Sequence, residues 1–144
     1  MRLRPSRDME TNIGILAGNK DSLWKYRNLL DCFEKETGYK LSMTLMMDWI
    51  TAYRGMTFNQ GGYDILILAE HRAETEDAEL IESLLGKKES LIVLRLCSSP
   101  EPDGHIPGVI DVPDWDAMEQ ILKEKIGSLR KEYQTNRKLK GVKP

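Results

Sequence analysis

Residues 62–69 read GYDILILA, and this stretch decides the fold class of the chain. It follows a second glycine, so two adjacent glycines separate it from any preceding helix. A short apolar run bounded by turn residues is typical of a strand that helices cover on both faces of a parallel sheet. We therefore predict a buried strand over residues 63–69.

Four further short apolar runs predict the remaining strands. The first and fourth are nearly continuous in Ile, Leu and Val, whereas the second alternates with polar residues and suits a strand nearer the sheet edge. The runs cover residues 12–16 (NIGIL), 40–45 (KLSMTL), 91–97 (LIVLRLC) and 108–112 (GVIDV).

Helical periodicity fills most of the gaps between these runs. Apolar residues recur at steps of three and four, which predicts helices over about residues 21–37, 48–56, 76–85 and from 115 onward. Residues 98–107 contain prolines and an Asp-Gly pair, so a helix there is short or missing. Strand–helix alternation of this kind predicts an α/β fold with a parallel sheet and helices on both faces.

Side chains that cap helices set the predicted helix ends. Asp21 or Ser22 can cap the first helix, and Gly38 suits the left-handed turn beyond its end. Asp48 is a plausible cap for the second helix, and Gly86 is expected to stop the third.

Length and composition indicate one globular domain. The chain has 144 residues, of which 40% are hydrophobic and 31% charged. We predict a flexible N-terminus over residues 1–11, an α/β domain over 12–130 and a basic C-terminal tail over 131–144. No run is long enough to span a bilayer and no signal peptide is visible, so we expect a cytoplasmic protein.

Charge is distributed unevenly although the net charge is only −2. Residues 123–144 hold eight basic and two acidic side chains, which leaves +6 there and −8 over residues 1–122. Such a tail attracts phosphates without reading a sequence, so we expect no specific nucleic-acid partner. The chain has only two cysteines and two histidines, and we predict neither a metal site nor a cofactor.

Several of these segments resemble the receiver domains of response regulators, in particular those attached to LytTR-type DNA-binding domains. The similarity lies in residues 13–19 (IGILAGN), 36–39 (ETGY), 62–69 (GYDILILA) and the Val112-Pro113 pair. The resemblance implies a flavodoxin-like, five-stranded parallel sheet of order 2-1-3-4-5 and a role in bacterial two-component signalling.

The chain departs from receivers where their chemistry lies. A receiver needs an acid pair for Mg²⁺, an aspartate that accepts the phosphoryl group, a lysine and a hydroxyl. The corresponding positions here are Ala17-Gly18, Ala69, Val112 and Cys97 or Ser98. Glu70 follows the acceptor position and either imitates a phospho-aspartate or is a solvated surface residue. The resemblance therefore implies a pseudo-receiver that is not phosphorylated and is not an enzyme.

Two functions remain open at this point. The first is a signalling or regulatory module, linked to two-component signalling or transcription control, that binds another protein or a second copy of itself. Its candidate surface lies on the last helix, at Trp115, Leu129 and Tyr133. The alternative is a small flavodoxin-like enzyme or a nucleotide- or ligand-binding protein that uses the crevice at the carboxyl ends of strands one and three. That crevice would be lined by Gly18, Asn19, Glu70, His71 and Ser98.

Overall fold

The computed structural model describes residues 10–58, 62–69, 75–88, 90–96 and 108–139. In chain order the elements are β1 (Thr11–Ala17), α1 (Lys20–Thr37), β2 (Leu41–Met46), α2 (Trp49–Phe58), β3 (Ile65–Ala69), α3 (Thr75–Lys87), β4 (Ile92–Leu96), β5 (Val109–Val112) and α4 (Trp115–Leu139). The segment expected to carry a short helix or none, between β4 and β5, lies outside the described residues.

The five strands form one parallel sheet in the order β2-β1-β3-β4-β5. The prediction of a flavodoxin-like sheet is therefore confirmed. β3, the strand from which the fold was inferred, lies in the centre, and all five of its residues are buried. β2, the alternating strand, lies at one edge as its pattern indicated, and β5 lies at the other.

Alternate side chains of the strands build two separate cores, one on each face of the sheet. On one face, Ile13, Ile65 and Ile67 pack with residues of α1 and α4. On the other face, Leu66 and Leu68 pack with residues of α2 and α3. Each fully buried side chain of this size contributes about 1.5–3 kcal/mol, so these two cores stabilise the layered architecture. Within the described part of the chain, no helix is long and apolar enough to cross a bilayer.

The start of α1 differs from the sequence prediction. Its N-cap is Asn19, whose side-chain oxygen accepts a hydrogen bond from the Ser22 backbone N–H at 2.8 Å. Neither Asp21 nor Ser22 caps the helix, because Asn19 keeps the extended backbone of a cap and helical geometry already begins at Lys20. The predicted end of α1 is confirmed, since Gly38 has a left-handed backbone with φ of 79°.

The end of α3 also differs, since the helix runs through Gly86 to Lys87. Gly86 adopts no positive φ, so it does not act as the expected stop. The turn follows Lys88, whose carbonyl accepts from the Leu91 N–H at 3.1 Å and whose side-chain nitrogen donates to the Tyr63 carbonyl at 2.9 Å. The last helix, α4, continues to Leu139 and passes through the position where a tail was expected to begin at residue 131.

Tyr63 shows how closely α2 approaches the sheet. Its ring is buried and its hydroxyl donates to the sulfur of Met46 at 3.3 Å. A Cβ atom on Gly55 of α2 would overlap this hydroxyl, so the glycine is required by the close packing. Burial raises the pKa of Tyr63 above its usual value of 10.0.

Candidate functional site

The positions that match the receiver's phosphorylation site come together at the carboxyl ends of the strands. Ala17 of β1 lies beside Ala69 of β3, which in turn lies beside Leu96 of β4. Leu96 then lies beside Val112 of β5. The register therefore brings the positions that correspond to a receiver's acid, acceptor and lysine onto one edge of the sheet.

The described strand ends at this edge are apolar and buried. Ala17 is 2% exposed, and Ala69 and Val112 are fully buried. All three belong to the core that α1 and α4 cover. Methyl and isopropyl groups offer no oxygen to a divalent cation and no nucleophile to a phosphoryl group. The described residues also contain no group of three His, Cys, Asp or Glu side chains that could hold a metal ion.

Polar side chains do occur just beyond the strand ends, but they cap helices. Asn19 accepts a hydrogen bond from Ser22 after β1, and Asp48 accepts one from the Thr51 N–H at 2.8 Å after β2. Asp114 does the same after β5, where the Ala117 N–H donates to it at 2.9 Å. The bonds from the Thr51 backbone N–H and then its hydroxyl hold the pKa of Asp48 below its usual value of 3.8.

The structure places only part of the predicted crevice. Gly18 is exposed, and a Cβ atom there would meet nothing within 4 Å. Asn19 lies next to it, with its side-chain oxygen engaged in the helix cap. The other three predicted crevice residues, Glu70, His71 and Ser98, lie outside the described residues. The crevice is thus represented by one open turn between β1 and α1.

Trp115 begins α4 and packs between this helix and α1. Its ring centroid lies 5.7 Å from that of Tyr26, and the indole is partly buried against the core. Among the described residues, no acceptor bonds its buried Nε1. The contact with Tyr26 gives Trp115 a packing role, and its use as an interaction surface stays a prediction.

The distal half of α4 reaches the amino-terminal side of the sheet. Arg130 lies over the Tyr39 ring, with its guanidinium carbon 5.1 Å from the ring centroid. Tyr39 precedes β2, so α4 has reached the amino-terminal side of the sheet at this point. Leu129 is half-buried, and the helical backbone continues through Tyr133 to Leu139. The side chain of Tyr133 lies outside the described part of the chain.

A buried ion pair joins β4 to the edge strand β5, and the sequence analysis missed it. Arg95 is 2% exposed and its Nε donates to the Asp111 carboxylate at 2.6 Å. The two residues are direct neighbours in the parallel register. An arginine inside an apolar strand and an aspartate inside the next predicted strand were the available signal, although sequence alone does not pair the strands.

Comparison with known proteins bears on the fold. No protein-family model and no curated protein matches the sequence. A putative pilus assembly-related protein from Burkholderia pseudomallei K96243 superposes with a TM-score of 0.63 at 16% identity, over 83% of this chain and 92% of that one. A putative pilus assembly protein (cpaE) from Burkholderia thailandensis E264 gives the same TM-score and identity, over 81% and 98%.

A third solved structure that is similar to this chain is a signal receiver domain. It belongs to an HD domain-containing protein from Pseudomonas fluorescens Pf-5 and superposes with a TM-score of 0.51 at 16% identity, over 81% of this chain and 97% of that one. The chain has the receiver fold. At 16% identity the similarity concerns the fold alone. The chemistry of the site therefore follows from its own residues.

Proposed function

We propose that this chain is a pseudo-receiver, a receiver-fold domain that binds protein partners in signalling or transcription control and is not phosphorylated. The main support is the burial of Ala17, Ala69 and Val112 at the three strand ends where a receiver holds Mg²⁺ and phosphate. The proposal therefore treats the sheet and helices as a scaffold for binding.

The candidate binding surface is the distal part of α4. From Arg130 to Leu139 the helix extends about 13 Å at roughly 1.5 Å per residue, beyond the contact with Tyr39. Leu129 is only half-buried at the start of this extension. We expect Leu129 and Tyr133 to contact another protein or a second copy of the chain. The pilus assembly proteins among the structural neighbours suggest that such a partner belongs to a larger assembly.

Exposure to a phosphodonor tests the proposal directly. The purified chain is incubated with acetyl phosphate and Mg²⁺, and separately with a fluoroberyllate analogue. Mass spectrometry is expected to show no added phosphate, and amide NMR spectra are expected not to change at Ala17 or Ala69. A base-labile, acid-stable phosphate on the folded chain would refute the pseudo-receiver proposal. An authentic receiver domain treated in parallel provides the positive control.

A further inference from the structure

The outer edge of β2 presents backbone groups that no described strand pairs. The Thr11 N–H donates to the Lys40 carbonyl at 3.0 Å, which fixes the phase of the β1–β2 ladder. In a parallel ladder, residues alternate between pointing both backbone groups towards one neighbour and pointing both away from it. Ser42 and Thr44 therefore face β1, while Leu41, Met43 and Leu45 direct their N–H and C=O groups outwards.

A side chain of α1 confirms this phase. The Leu41 N–H, the first on the outer edge, donates to the Glu34 carboxylate at 2.7 Å. Glu34 therefore occupies the amino-terminal part of the edge and places one side of α1 level with it. The backbone groups of Met43 and Leu45 remain for a partner, because among the described residues none bonds to them from this side.

The composition of β2 differs from that of a protected edge strand. Edges are usually short or carry charged residues or proline, which discourage pairing with another chain. β5, at the other edge, has four residues and includes Asp111. β2 has six residues, LSMTLM, with neither charge nor proline. Large apolar side chains of α1 and of the segment after β2 are exposed, with Trp24 at 52%, Met47 at 47% and Ile50 at 65%.

We propose that β2 pairs antiparallel with β2 of a second copy of this chain, about a two-fold axis at Thr44. Met43 of one copy then lies opposite Leu45 of the other, and each such pair exchanges both backbone hydrogen bonds. The two Thr44 residues meet as the intervening pair without backbone bonds, where side chains approach most closely. The product is one continuous ten-stranded sheet.

Charged side chains of α1 lie level with this axis. Arg27 and Asp31 are four residues apart, with 3.8 Å between Nη1 and Oδ2, and their side chains are 42% and 36% exposed. Arg27 lies seven residues before Glu34, about 10 Å along the helix, which is about three strand residues beyond Leu41 and therefore level with Thr44. The axis brings the two Arg27 side chains to the same level, and each keeps its own Asp31 carboxylate as a counter-ion.

A second copy suits this edge better than an unrelated strand. The outward groups of Met43 and Leu45 comprise two donors and two acceptors, and the two-fold axis matches each with its complement. Glu34 blocks the same position in both copies, so neither side offers a longer ladder. The strand that α4 mainly contacts is β5, at the opposite edge of the sheet from β2. The inference therefore does not depend on the function proposed above.

Sedimentation of designed charge variants tests the pairing. The wild-type chain is expected to be a dimer, while Thr44→Lys and Thr44→Glu each weaken association by about tenfold or more because like charges meet at the axis. An equimolar mixture of the two variants is expected to restore a dimer, an outcome that damage to the fold would not produce. Ile110→Lys, on the opposite edge strand, is the matched control and is expected to leave the dimer intact.

Hydrogen exchange of the unmodified chain provides a second test. The amide protons of Met43 and Leu45 are expected to be protected at high protein concentration and to exchange faster on dilution. A wild-type chain that is monomeric at millimolar concentration would overturn the proposal. So would a dimer that persists in Thr44→Lys but dissociates when Leu129 and Tyr133 are replaced by serine, since association would then run through α4.

Discussion

The two ends of the sheet use their polar groups in different ways. At the carboxyl end, the strands finish in buried Ala17, Ala69 and Val112, and the polar side chains just beyond them cap helices. At the amino end, Asp64 connects three segments. Its carboxylate accepts from the Asn12 N–H at 2.8 Å and lies 3.2 Å from the Lys88 nitrogen, and its backbone carbonyl accepts from Ile92 of β4.

This difference distinguishes the residues that stabilise a receiver fold from the residues that carry out a receiver's phosphorylation. The amino end keeps the Asp64 of the receiver-like GYDILILA segment, and here that residue holds β1, β3 and the start of β4 together. At the carboxyl end, the strand-end positions that correspond to a receiver's acid, acceptor and lysine are the apolar Ala17, Ala69 and Val112. A parallel sheet with a well-packed core is stable without polar groups at its carboxyl end. The fold and the phosphorylation chemistry can therefore vary independently of each other.

The largest effect is expected for Ala69→Asp, which introduces a carboxylate at the position of a receiver's acceptor. The carboxylate would be fully buried in an apolar core, so the free energy of unfolding should fall by about 3–5 kcal/mol. Gly18→Asp is the matched control, because Gly18 is exposed with open space around it, and it should change stability by no more than about 0.5 kcal/mol. Urea denaturation measures both. Equal, small effects would show that the carboxyl end is a solvated pocket.

At the amino end the corresponding change is Asp64→Ala. It removes the acceptor of the Asn12 N–H and of the Lys88 ammonium, so unfolding should become easier by about 1–3 kcal/mol. Asp64→Asn keeps an oxygen for Asn12 and is expected to lose less. Lys88→Met removes the ion pair together with the bond to the Tyr63 carbonyl, and the ion pair itself is partly exposed and should contribute below about 1 kcal/mol. An Asp64→Ala protein as stable as the wild type would contradict the structural role.

Sequence reasoning succeeded where a single local pattern determines the structure. The buried strand β3 follows from the uninterrupted ILILA run. The end of α1 follows from Gly38, because glycine readily adopts the left-handed backbone conformation that ends the helix. The receiver-like order of the sheet came from resemblance, because periodicity alone does not determine which strands are neighbours.

The errors arose where several residues could satisfy the same requirement. The residues able to cap this helix include Asn19, Asp21 and Ser22. Which of them becomes the N-cap depends on where β1 ends. Gly86 could end α3, yet the helix continues to Lys87, and Lys88 bonds to Tyr63 and Asp64 just before β3. The Arg95–Asp111 pair likewise exists only because β4 and β5 are neighbours. Of the predicted crevice, the helix cap at Asn19 explains one residue without any ligand.

The smallest effect is expected at Asp48, a carboxylate at the carboxyl end of the sheet that caps α2. Its pKa is expected below 3.8, chiefly because the Thr51 backbone N–H, and then the Thr51 hydroxyl, bond to the charged form. Since the folded-state pKa is lowered, the stabilisation of α2 is present above about pH 3.8 and is lost as the pH falls through the folded-state pKa. Carboxyl-carbon NMR titration measures this value directly.

Thr51→Ala is the informative variant for this measurement. It deletes the hydroxyl, which accounts for the smaller of the two Thr51 contributions, and keeps the backbone N–H, so the pKa of Asp48 should rise only part of the way to 3.8. Asp48→Asn retains a capping oxygen without a titrating proton, and it should remove the pH dependence of α2 near pH 3.8 while leaving the helix in place. A wild-type pKa at or above 3.8 would mean that Asp48 is not held by Thr51, and a carboxylate would then be free for another role at the carboxyl end of the sheet.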